Sequence, residues 1–262
     1  MANQKGGVGK TTTAINLGTS LAMAEQRVLL VDLDPQSNLT SGVGLKGQAA
    51  PAGTVYQALT SDVNDMSPFV LKTTIQGLSL IPADRNLTGA EIDLVTLPHR
   101  EHRLRACLDP LRGDFDYILI DTPPSLGLLT LNALVAADAV FIPLNCEYFA
   151  LEGLADLVAT LRRVRAAFNP ALDIAGVLMT MYDERTNLGQ QVSRDIRAFF
   201  QDRVFNTVIP RNIRLGEAPS HGMPAILYDV KSRGAEAYLA LAREVMARDS
   251  SAAASPTEPQ HG

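Results

Sequence analysis

A glycine-rich stretch near the start of the chain limits the possible folds more than any other feature of this sequence. It reads NQKGGVGKTT at residues 3–12 and leads directly into an amphipathic helical pattern. Glycines allow a backbone to turn its N–H groups inward around phosphate oxygens, and the N-terminus of a following helix attracts the same anion. The stretch therefore predicts a nucleotide-binding loop made of Gly6, Gly7, Val8, Gly9, Lys10, Thr11 and Thr12.

Two lysines stand in this loop, where one is enough to bind phosphate. Lys10 is placed to reach the β- and γ-phosphates, and the hydroxyl of Thr11 is placed to bind Mg²⁺. Lys5 lies four positions before Gly9, where the common form of the motif has glycine. Because Lys10 already holds those phosphates, we expect Lys5 to reach outward, to a nucleotide bound by a second copy of the chain. The alternative is that Lys5 is a solvated loop charge.

The rest of the chain alternates between apolar strand patterns and helical patterns. Near-continuous apolar strands separated by helices indicate a parallel sheet covered on both faces. We therefore predict an α/β fold with a mostly parallel central sheet, as one domain over residues 1–248, followed by a disordered tail at 249–262. The predicted strands are 27–34, 78–83, 116–122, 139–145, 174–182 and 204–210, and the predicted helices are 10–25, 88–96, 100–112, 126–137, 150–168, 188–201 and 234–248.

One strand of that sheet is missing from the pattern. A phosphate-binding loop joins a buried parallel strand to a helix, but only Met1 and Ala2 precede Asn3 in this sequence. Losing about five buried apolar side chains, at ~1.5–3 kcal/mol each, would exceed the stability of most domains. We therefore expect the fold to lack its first strand, because the true start codon lies upstream or because the chain is truncated.

Acidic residues end two of the predicted strands. Asp32 and Asp34 close the apolar run at 27–34, and Asp121 closes the run at 116–122. A strand-end aspartate beside a phosphate-binding loop commonly holds Mg²⁺ through water. Alternation along the strand puts Asp32 and Asp34 on the same side, so either could face the ion or a water molecule. The alternative for each carboxylate is a helix cap or a turn.

Charge is unevenly distributed along the chain. The formal net charge is −5, yet residues 180–248 contain ten Lys or Arg against eight Asp or Glu. A net-positive face binds phosphates without reading sequence, so this part of the chain is the candidate surface for a polyanion. The arginines have no accompanying aromatic stacking pattern, which makes sequence-specific recognition unexpected. The alternative is that these arginines pair with neighbouring acids.

Five longer stretches occur together and in an informative order. They are KGGVGKTT, VLLVDLDPQSNLTSGVG, YILIDTPPSLGLLTLNAL, CEYFALEGL and IPRNIRLGEAPSHGMPAILYDVKSRGAEAYLALAREV. In this order they resemble the ParA/Soj family of chromosome- and plasmid-partitioning ATPases, over residues 3 to about 248. That family belongs to the deviant Walker A class, so the resemblance implies a P-loop NTPase architecture with ATP and Mg²⁺ as cofactors.

The resemblance also implies roles for residues around the phosphates. Lys5 corresponds to the signature lysine, which contacts ATP across a dimer interface. Asp34 corresponds to the residue that orients or activates the attacking water. Asp121 corresponds to the Walker B acid, which acts on Mg²⁺ together with Thr11. Residues 122–125 match the second switch, which senses the γ-phosphate.

Four residues of the C-terminal third take roles from the same resemblance. Pro210 and Asn212 are implied to lie near the adenine. Arg185 and Arg214 match basic positions that bind DNA non-specifically in the ATP-bound dimer. A plain turn is the alternative for the first pair, and surface arginines paired with acids are the alternative for the second.

The implied function is an ATP-dependent dimeric switch that hydrolyses ATP slowly. The ATP-bound homodimer would bind double-stranded DNA, and a ParB/Spo0J-type centromere-binding protein would stimulate hydrolysis. The protein would be cytoplasmic and associated with the nucleoid rather than with a membrane. The sequence leaves open whether the cargo is a chromosome or a plasmid.

Three other functions are weighed against this one. A MinD-like ATPase acting at the membrane in division-site placement needs a C-terminal amphipathic helix, and residues 249–262 contain no large apolar residue. An iron–sulfur reductase needs cluster-binding cysteines after the nucleotide motifs, which Cys107 and Cys146 do not provide. A protein that uses ATP only as a structural clamp between subunits is compatible with the sequence.

Overall fold

Helices and strands alternate through most of the computed structural model, which describes residues 1–147 and 150–254. The strands are β1 (Val28–Asp32), β2 (Leu71–Lys72), β3 (Leu78–Ile81), β4 (Tyr117–Asp121), β5 (Ala139–Asn145) and β6 (Asp173–Thr180). The helices are α1 (Lys10–Met23), α2 (Asn38–Gly42), α3 (Val55–Thr60), α4 (Leu87–Val95), α5 (Arg103–Leu108), α6 (Leu128–Ala136), α7 (Ala150–Ala167), α8 (Asn187–Phe200), α9 (Ile213–Glu217), α10 (Ala225–Tyr228) and α11 (Arg233–Ala254).

The strands form two sheets. Four of them lie in the order β2-β3-β1-β4, where β1 is parallel to both β3 and β4 and only β2 is antiparallel. The strands β5 and β6 form a second, parallel pair. The mostly parallel α/β architecture predicted from the sequence is therefore confirmed, although the sheet is divided between β4 and β5.

The central strand β1 shows why helices cover both faces of the larger sheet. All five of its residues are buried. Leu29 and Val31 pack into a core that includes residues of α3, α4, α5 and α6, whereas Val28 and Leu30 pack into a core that includes α1 and α11. Successive side chains of a strand point to opposite faces, so an uninterrupted apolar run needs a cover on each side.

The prediction that residues 204–210 form a strand is wrong. The segment makes only single bridges at its two ends, to residues 177 and 182. The carboxylate of Glu244 accepts hydrogen bonds from the backbone amides of Asn206 (2.7 Å) and Thr207 (2.8 Å). Because these two amides bind a side chain of α11, the hydrogen-bond ladder beside β6 is interrupted and no strand forms.

Met1 and Ala2 lie between β4 and β5, where a strand that precedes the loop would lie. The Met1 ammonium donates a hydrogen bond to the carbonyl of Ile120 in β4 (2.6 Å), and the Ala2 amide donates to the carbonyl of Phe141 in β5 (3.1 Å). Within the described residues, no strand lies between β4 and β5. Met1 and Ala2 therefore connect the two sheets at this point.

The C-terminal boundary lies later than expected. Helix α11 continues through Ala254, so the predicted disordered tail is helical over residues 249–254. The remaining predicted tail, 255–262, and residues 148–149 of the CEYFALEGL stretch lie outside the described residues. Within the described part of the chain, no helix has the length and apolarity needed to cross a membrane.

Candidate nucleotide-binding site

The glycine-rich loop has the backbone shape that binding phosphate requires. Gly7 and Gly9 have φ angles of +72° and +87°, in the left-handed region that side chains disfavour. Gly9 precedes the first residue of α1, so the N-terminal end of that helix faces the loop. The hydroxyl of Thr180, at the end of β6, donates a hydrogen bond to the carbonyl of Val8 (2.8 Å), and this bond ties the loop to β6.

The two lysines of the loop point to different places. Lys10 is buried, and its ammonium donates to the carbonyl of Lys5 across the loop (3.3 Å). Burial lowers the pKa of Lys10, although the nearby carboxylates of Asp121 and Asp34 act in the opposite direction. The side chain of Lys5 is 39% exposed, and its Nζ lies 2.8 Å from the carboxylate of Glu147. The structure therefore separates an inward-facing lysine from an outward-facing one.

Asp32 is a buried structural residue at the end of β1. Its carboxylate accepts hydrogen bonds from the amide of Asp34 (3.1 Å) and from both the amide (2.9 Å) and the hydroxyl (2.7 Å) of Thr40. Burial raises the pKa of Asp32 to about 7, with a further increase from the neighbouring Asp121. Asp32 therefore holds the start of α2 in place, and it does not line the pocket described below.

Asp34 lies at the pocket surface of the same segment. It is 8% exposed, and within the part of the chain that the structure describes its carboxylate accepts one hydrogen bond, from the amide of Gln36 (2.9 Å). That single bond leaves most of the acceptor capacity of the carboxylate free. Asp34 is thus able to accept a hydrogen bond from a water molecule in the pocket.

Asp121, at the end of β4, is the least satisfied acid of the site. It is fully buried, and within the described residues neither of its carboxylate oxygens has a hydrogen-bond partner. Burial raises the pKa of Asp121 to about 6, while the nearby hydroxyl of Thr11 and the ammonium of Met1 oppose the shift. A buried carboxylate without partners is costly, so this group fits a site completed by a hydrated cation.

A cavity of about 660 Å³, here called the nucleotide pocket, opens in front of the loop. Its walls bring together residues far apart in the sequence: Gly6, Gly7, Gly9, Lys10, Thr11, Thr12, Asp34, Pro124, Thr180, Pro210, Asn212 and Tyr238 are among them. The volume falls within the range of roughly 300–1,000 Å³ that is usual for small-molecule sites. The pocket is thus polar at the loop and bounded by prolines and an aromatic residue elsewhere.

Pro210 and Asn212 are far from the loop glycines in the sequence, yet they line the same cavity. The side-chain oxygen of Asn212 accepts a hydrogen bond from the amide of Arg214 (2.8 Å) and caps α9. This bond orients the side chain and leaves its amide nitrogen as a donor.

The residues around the pocket also fit a magnesium ion. The Thr11 hydroxyl and the unpartnered Asp121 carboxylate are hard oxygen ligands of the kind that Mg²⁺ takes, alone or through water. Within the described residues there is no group of three or more His, Cys, Asp or Glu side chains that could hold a metal. Mg²⁺ in nucleotide sites takes most of its remaining ligands from phosphates and water, so a sparse protein ligand set suits it.

The two arginines assigned to DNA are not part of the pocket. Arg185 is 85% exposed and pairs with Asp183 (2.7 Å), and this hydrogen-bonded pair lowers the pKa of Asp183 to about 2. Arg214 pairs with Glu217 (2.7 Å) and lies 3.3 Å from Asp229. Both arginines pair with acids, as the alternative considered for them describes, and their role in DNA binding stays a prediction. We call these two residues the arginine surface.

Several lining residues of the pocket were not anticipated from the sequence, among them Thr180, Met181 and Tyr238. Thr180 lies near the end of the strand predicted at 174–182 and is the last residue of β6, so the reasoning about strand ends that selected Asp121 could have found it. Met181 adopts a φ of +49°, a strained backbone of the kind that clusters at functional sites, and no sequence pattern indicates it. Tyr238 comes from α11 and hydrogen-bonds the hydroxyl of Thr13 in α1 (3.1 Å), a contact across 225 positions.

The fold and the pocket together define a class of protein. A phosphate-binding loop between a parallel sheet and a helix, with acids at the ends of β1 and β4, is the nucleotide site of a P-loop NTPase. A family model described as an AAA domain matches residues 1–174. The chain belongs to the ParA/Soj family within this class, and the resemblance found in the sequence is confirmed.

Two curated relatives and one solved structure illustrate the similarity. The chain is 55% identical to the chromosome partitioning protein ParA of Myxococcus xanthus over 249 residues, which are 95% of this chain and 87% of the relative. It is 56% identical to the sporulation initiation inhibitor protein Soj of Bacillus subtilis over 247 residues, or 94% and 97% of the two chains. A cobyrinic acid a,c-diamide synthase of Mycobacterium smegmatis, solved with ADP and magnesium, superposes with a TM-score of 0.82 at 39% identity, over 96% and 94% of the chains.

Proposed function

We propose that the protein is an ATP-dependent dimeric switch that partitions DNA. The observation that carries this proposal is a nucleotide pocket lined by Lys10 and Asp34, with the unpartnered carboxylate of Asp121 buried close to both, in a chain of the ParA/Soj family. The relatives with 55% and 56% identity are closer in sequence than the mycobacterial synthase at 39%, so the partitioning relatives guide the choice of function.

ATP and Mg²⁺ are the ligands that suit the pocket. The loop amides and Lys10 would bind the β- and γ-phosphates, and the neutralisation of their charge is the main task in phosphoryl transfer. Thr11 and Asp121 would hold Mg²⁺, which supplies further positive charge to the phosphates when bound. Pro210 would offer an apolar surface to the adenine, and Asn212 would donate its free amide N–H to the edge of the base.

Asp34 is placed to orient the attacking water. Its carboxylate lies in the pocket with acceptor capacity to spare, as hydrolysis of the γ-phosphate requires. No covalent nucleophile is needed, because positioning and charge stabilisation account for most of the catalysis. Because Asp34 is the one acid that we assign to orienting the water, we expect slow turnover of ATP. Slow turnover suits a switch.

Lys5 is proposed to act across a dimer. Its ammonium faces away from the pocket of its own chain and is held by Glu147 at the surface. In an ATP-bound homodimer, Lys5 would leave Glu147 and contact the phosphates of the second copy. The γ-phosphate would then be the ligand that joins the two subunits.

The arginine surface is proposed to bind the backbone of double-stranded DNA without reading its sequence. A single copy offers two arginines that are already paired with acids, so it would have low affinity for DNA. Dimerisation would double the number of phosphate contacts and make binding depend on ATP. By comparison with the partitioning relatives, a ParB/Spo0J-type protein would stimulate hydrolysis, and the protein would act on the nucleoid.

Phosphate release and DNA binding, measured together, test this function. Wild type should release phosphate slowly from ATP and bind DNA with ATP but not with ADP. Asp34→Ala should bind DNA with ATP but lose at least about 100-fold in hydrolysis, because only the water loses its partner. Lys5→Ala should bind ATP yet stay monomeric and fail to bind DNA. Equal DNA binding with ATP, with ADP and without nucleotide would contradict the proposal.

The membrane-acting alternative predicts a different result with the same protein. A MinD-like ATPase would sediment with anionic liposomes in the presence of ATP and would not need DNA for stimulation. We expect no ATP-dependent sedimentation with liposomes. Sedimentation with liposomes, combined with no retention on DNA, would favour the alternative.

A further inference from the structure

Helix α6 begins shortly after residues 122–125, which the family resemblance assigns to the second switch. The N-cap residue of α6 is Gly127, with an extended backbone at φ −74° and ψ −172°. The first amides of a helix have no partner inside the helix, and an N-cap Ser, Thr, Asp or Asn usually supplies a side-chain oxygen to them. Glycine has no side chain, so the oxygen that caps α6 has to come from another part of the chain.

The carboxylate of Glu91, in α4, occupies the place where a side chain at position 127 would lie. A Cβ at Gly127 would overlap Oε1 of Glu91 and would lie 2.9 Å from Oε2. The N-terminal end of a helix favours a negative charge, because the dipoles of its peptide units add up there. Glu91 therefore brings to the start of α6 the group that Gly127 lacks.

One oxygen of this carboxylate is not satisfied. Oε1 of Glu91 is buried, and within the part of the chain that the structure describes it has no hydrogen-bond partner. A buried acceptor without a donor costs free energy, so such a group calls for a physical reason. The first turn of α6 carries unused amides beside this oxygen, and a small displacement of the helix start would complete the cap.

The rest of α6 is fixed by other contacts. Leu129 of α6 packs into the same core as Leu87 of α4. The side-chain nitrogen of Asn132 donates to the carbonyl of Arg100 (2.8 Å), and its side-chain oxygen accepts from the amide of Leu104 (3.1 Å). These bonds hold the middle of the helix, so the part left for Glu91 to position is the first turn.

That first turn is tied to the second switch. The hydroxyl of Thr130 donates to the carbonyl of Ser125 (2.6 Å). The preceding residue, Pro124, lines the nucleotide pocket, and a Cβ at Gly6 of the loop would touch its side chain (3.8 Å). A shift of the start of α6 would therefore move the switch relative to the loop.

We propose that Glu91 is a positioning residue for the second switch. Its carboxylate caps α6 in place of a side chain at position 127, and the cap sets where residues 122–125 lie beside the nucleotide pocket. Glu91 is not among the described residues that line this pocket, so it would act through the backbone of α6 and not by contact with ATP. The inference rests on the proposed function, in which these switch residues sense the γ-phosphate.

Moving the cap from α4 to α6 tests the proposal. Glu91→Ala should lower kcat for ATP about 3- to 30-fold with less than about a twofold change in KM, because the loop and Lys10 still bind ATP. Gly127→Ser alone should lower kcat similarly, since its side chain displaces the carboxylate. The double variant has room for the serine, whose hydroxyl caps α6 directly. Its kcat should return to within about twofold of the wild-type value.

Amide exchange in residues 122–126 reports on the same position without ATP. Exchange should be faster in each single variant and should return to the wild-type rate in the double variant. Glu91→Gln keeps an oxygen acceptor in place and should retain most of the wild-type kcat. Asp93→Asn is the control on the same helix: Asp93 is exposed, bonds the hydroxyl of Tyr56 (2.9 Å) and should affect neither readout when changed.

Three outcomes would contradict one of the two proposals. A double variant more impaired than either single variant would overturn the role of Glu91, because the two side chains would then not compete for one position. A lower Tm with unchanged kcat and unchanged exchange would make Glu91 a purely structural residue. Wild type that releases no phosphate from ATP would contradict the proposed switch alone, and the exchange rates would still decide whether Glu91 positions residues 122–125.

Discussion

The nucleotide pocket and the arginine surface differ in the burial and the pairing of their charged side chains. At the pocket, the lining residue Lys10 and the nearby Asp121 are buried, and the acid has no hydrogen-bond partner within the described residues. On the arginine surface, Arg185 and Arg214 each form an ion pair at 2.7 Å in contact with solvent. Buried charges without partners are expensive, whereas exposed pairs contribute little and exchange easily.

This difference predicts how each region responds to its ligand. Ligand groups in the pocket would complete interactions that the protein lacks, so single substitutions there should have large effects. DNA phosphates would only replace carboxylates that already satisfy the arginines, so substitutions on the arginine surface should have smaller and salt-dependent effects. The predictions below test that contrast.

The largest effect is expected for Lys10→Ala in the pocket. Loss of the buried ammonium that we propose binds the phosphates should weaken ATP binding by at least about 100-fold, measured by calorimetry or by a fluorescent nucleotide analogue. Lys46→Ala removes an exposed lysine outside the pocket and should leave the affinity unchanged. If the two variants bind ATP equally well, the pocket is not the nucleotide site.

The buried acid Asp32 should make stability depend on pH. Its pKa is raised from 3.8 to about 7 in the folded protein, mainly by burial, so the folded state holds a proton that the unfolded state releases. Its stabilising contribution is complete below pH 4 and is lost as the pH rises through about 7. Relative to Asp32→Asn, wild type should lose on the order of 2–4 kcal/mol between pH 4 and pH 7.5, measured by urea unfolding.

The exposed acid Asp116 provides the matched control for this measurement. Its hydrogen bonds with Arg27 lower its pKa to about 2, so its contribution is complete above pH 4 and is lost only as the pH falls toward 2. The difference between wild type and Asp116→Asn should therefore stay constant from pH 4 to pH 7.5. A constant difference for Asp32→Asn as well would mean that burial does not perturb its carboxylate.

A smaller effect is expected on the arginine surface. Arg185→Ala and Arg214→Ala should each weaken ATP-dependent DNA binding about 3- to 10-fold at low salt and should reduce the salt dependence of binding. Arg85→Ala, an exposed arginine in the first half of the chain, is the control. ATP affinity should stay unchanged in all three variants, since none of them lines the pocket. Identical salt dependence for all three would exclude this surface from DNA binding.

The smallest effect is expected where the two regions meet, at the ion pair of Lys5 and Glu147. The pair is half-exposed, so Glu147→Gln should lower the concentration needed for ATP-dependent dimerisation only about two- to fivefold. Analytical ultracentrifugation with a non-hydrolysable ATP analogue measures this change. Glu101→Gln, which breaks a surface pair with Arg100, should have no effect. Weaker dimerisation of Glu147→Gln would mean that Glu147 itself supports the dimer.

Local sequence patterns predicted the strands correctly, because burial of apolar side chains dominates their formation. The strands at 27–34, 78–83, 116–122, 139–145 and 174–182 are all present within a few residues, because a buried strand must be apolar along its whole length. The short elements α2, α3, β2, α9 and α10 were not predicted. Helix α10 is held by a long-range hydrogen bond from the Ala225 amide to the side chain of Asn16, which leaves no local pattern. Helices α3 and α9 have local caps at Thr54 and Asn212, but with six and five residues they are too short for apolar periodicity to reveal them.

The sequence by itself determined the parallel α/β fold, the nucleotide loop and the acids beside it, because glycine conformations, apolar periodicity and strand-end carboxylates are properties of short segments. Only the tertiary structure decided that Asp32 holds α2 through Thr40 while Asp34 faces the pocket, and that Glu244 prevents a strand at 204–210. It also decided that a groove separates β4 from β5. These features depend on which distant groups meet in space, and hydrogen bonds and burial across more than a hundred residues fix them.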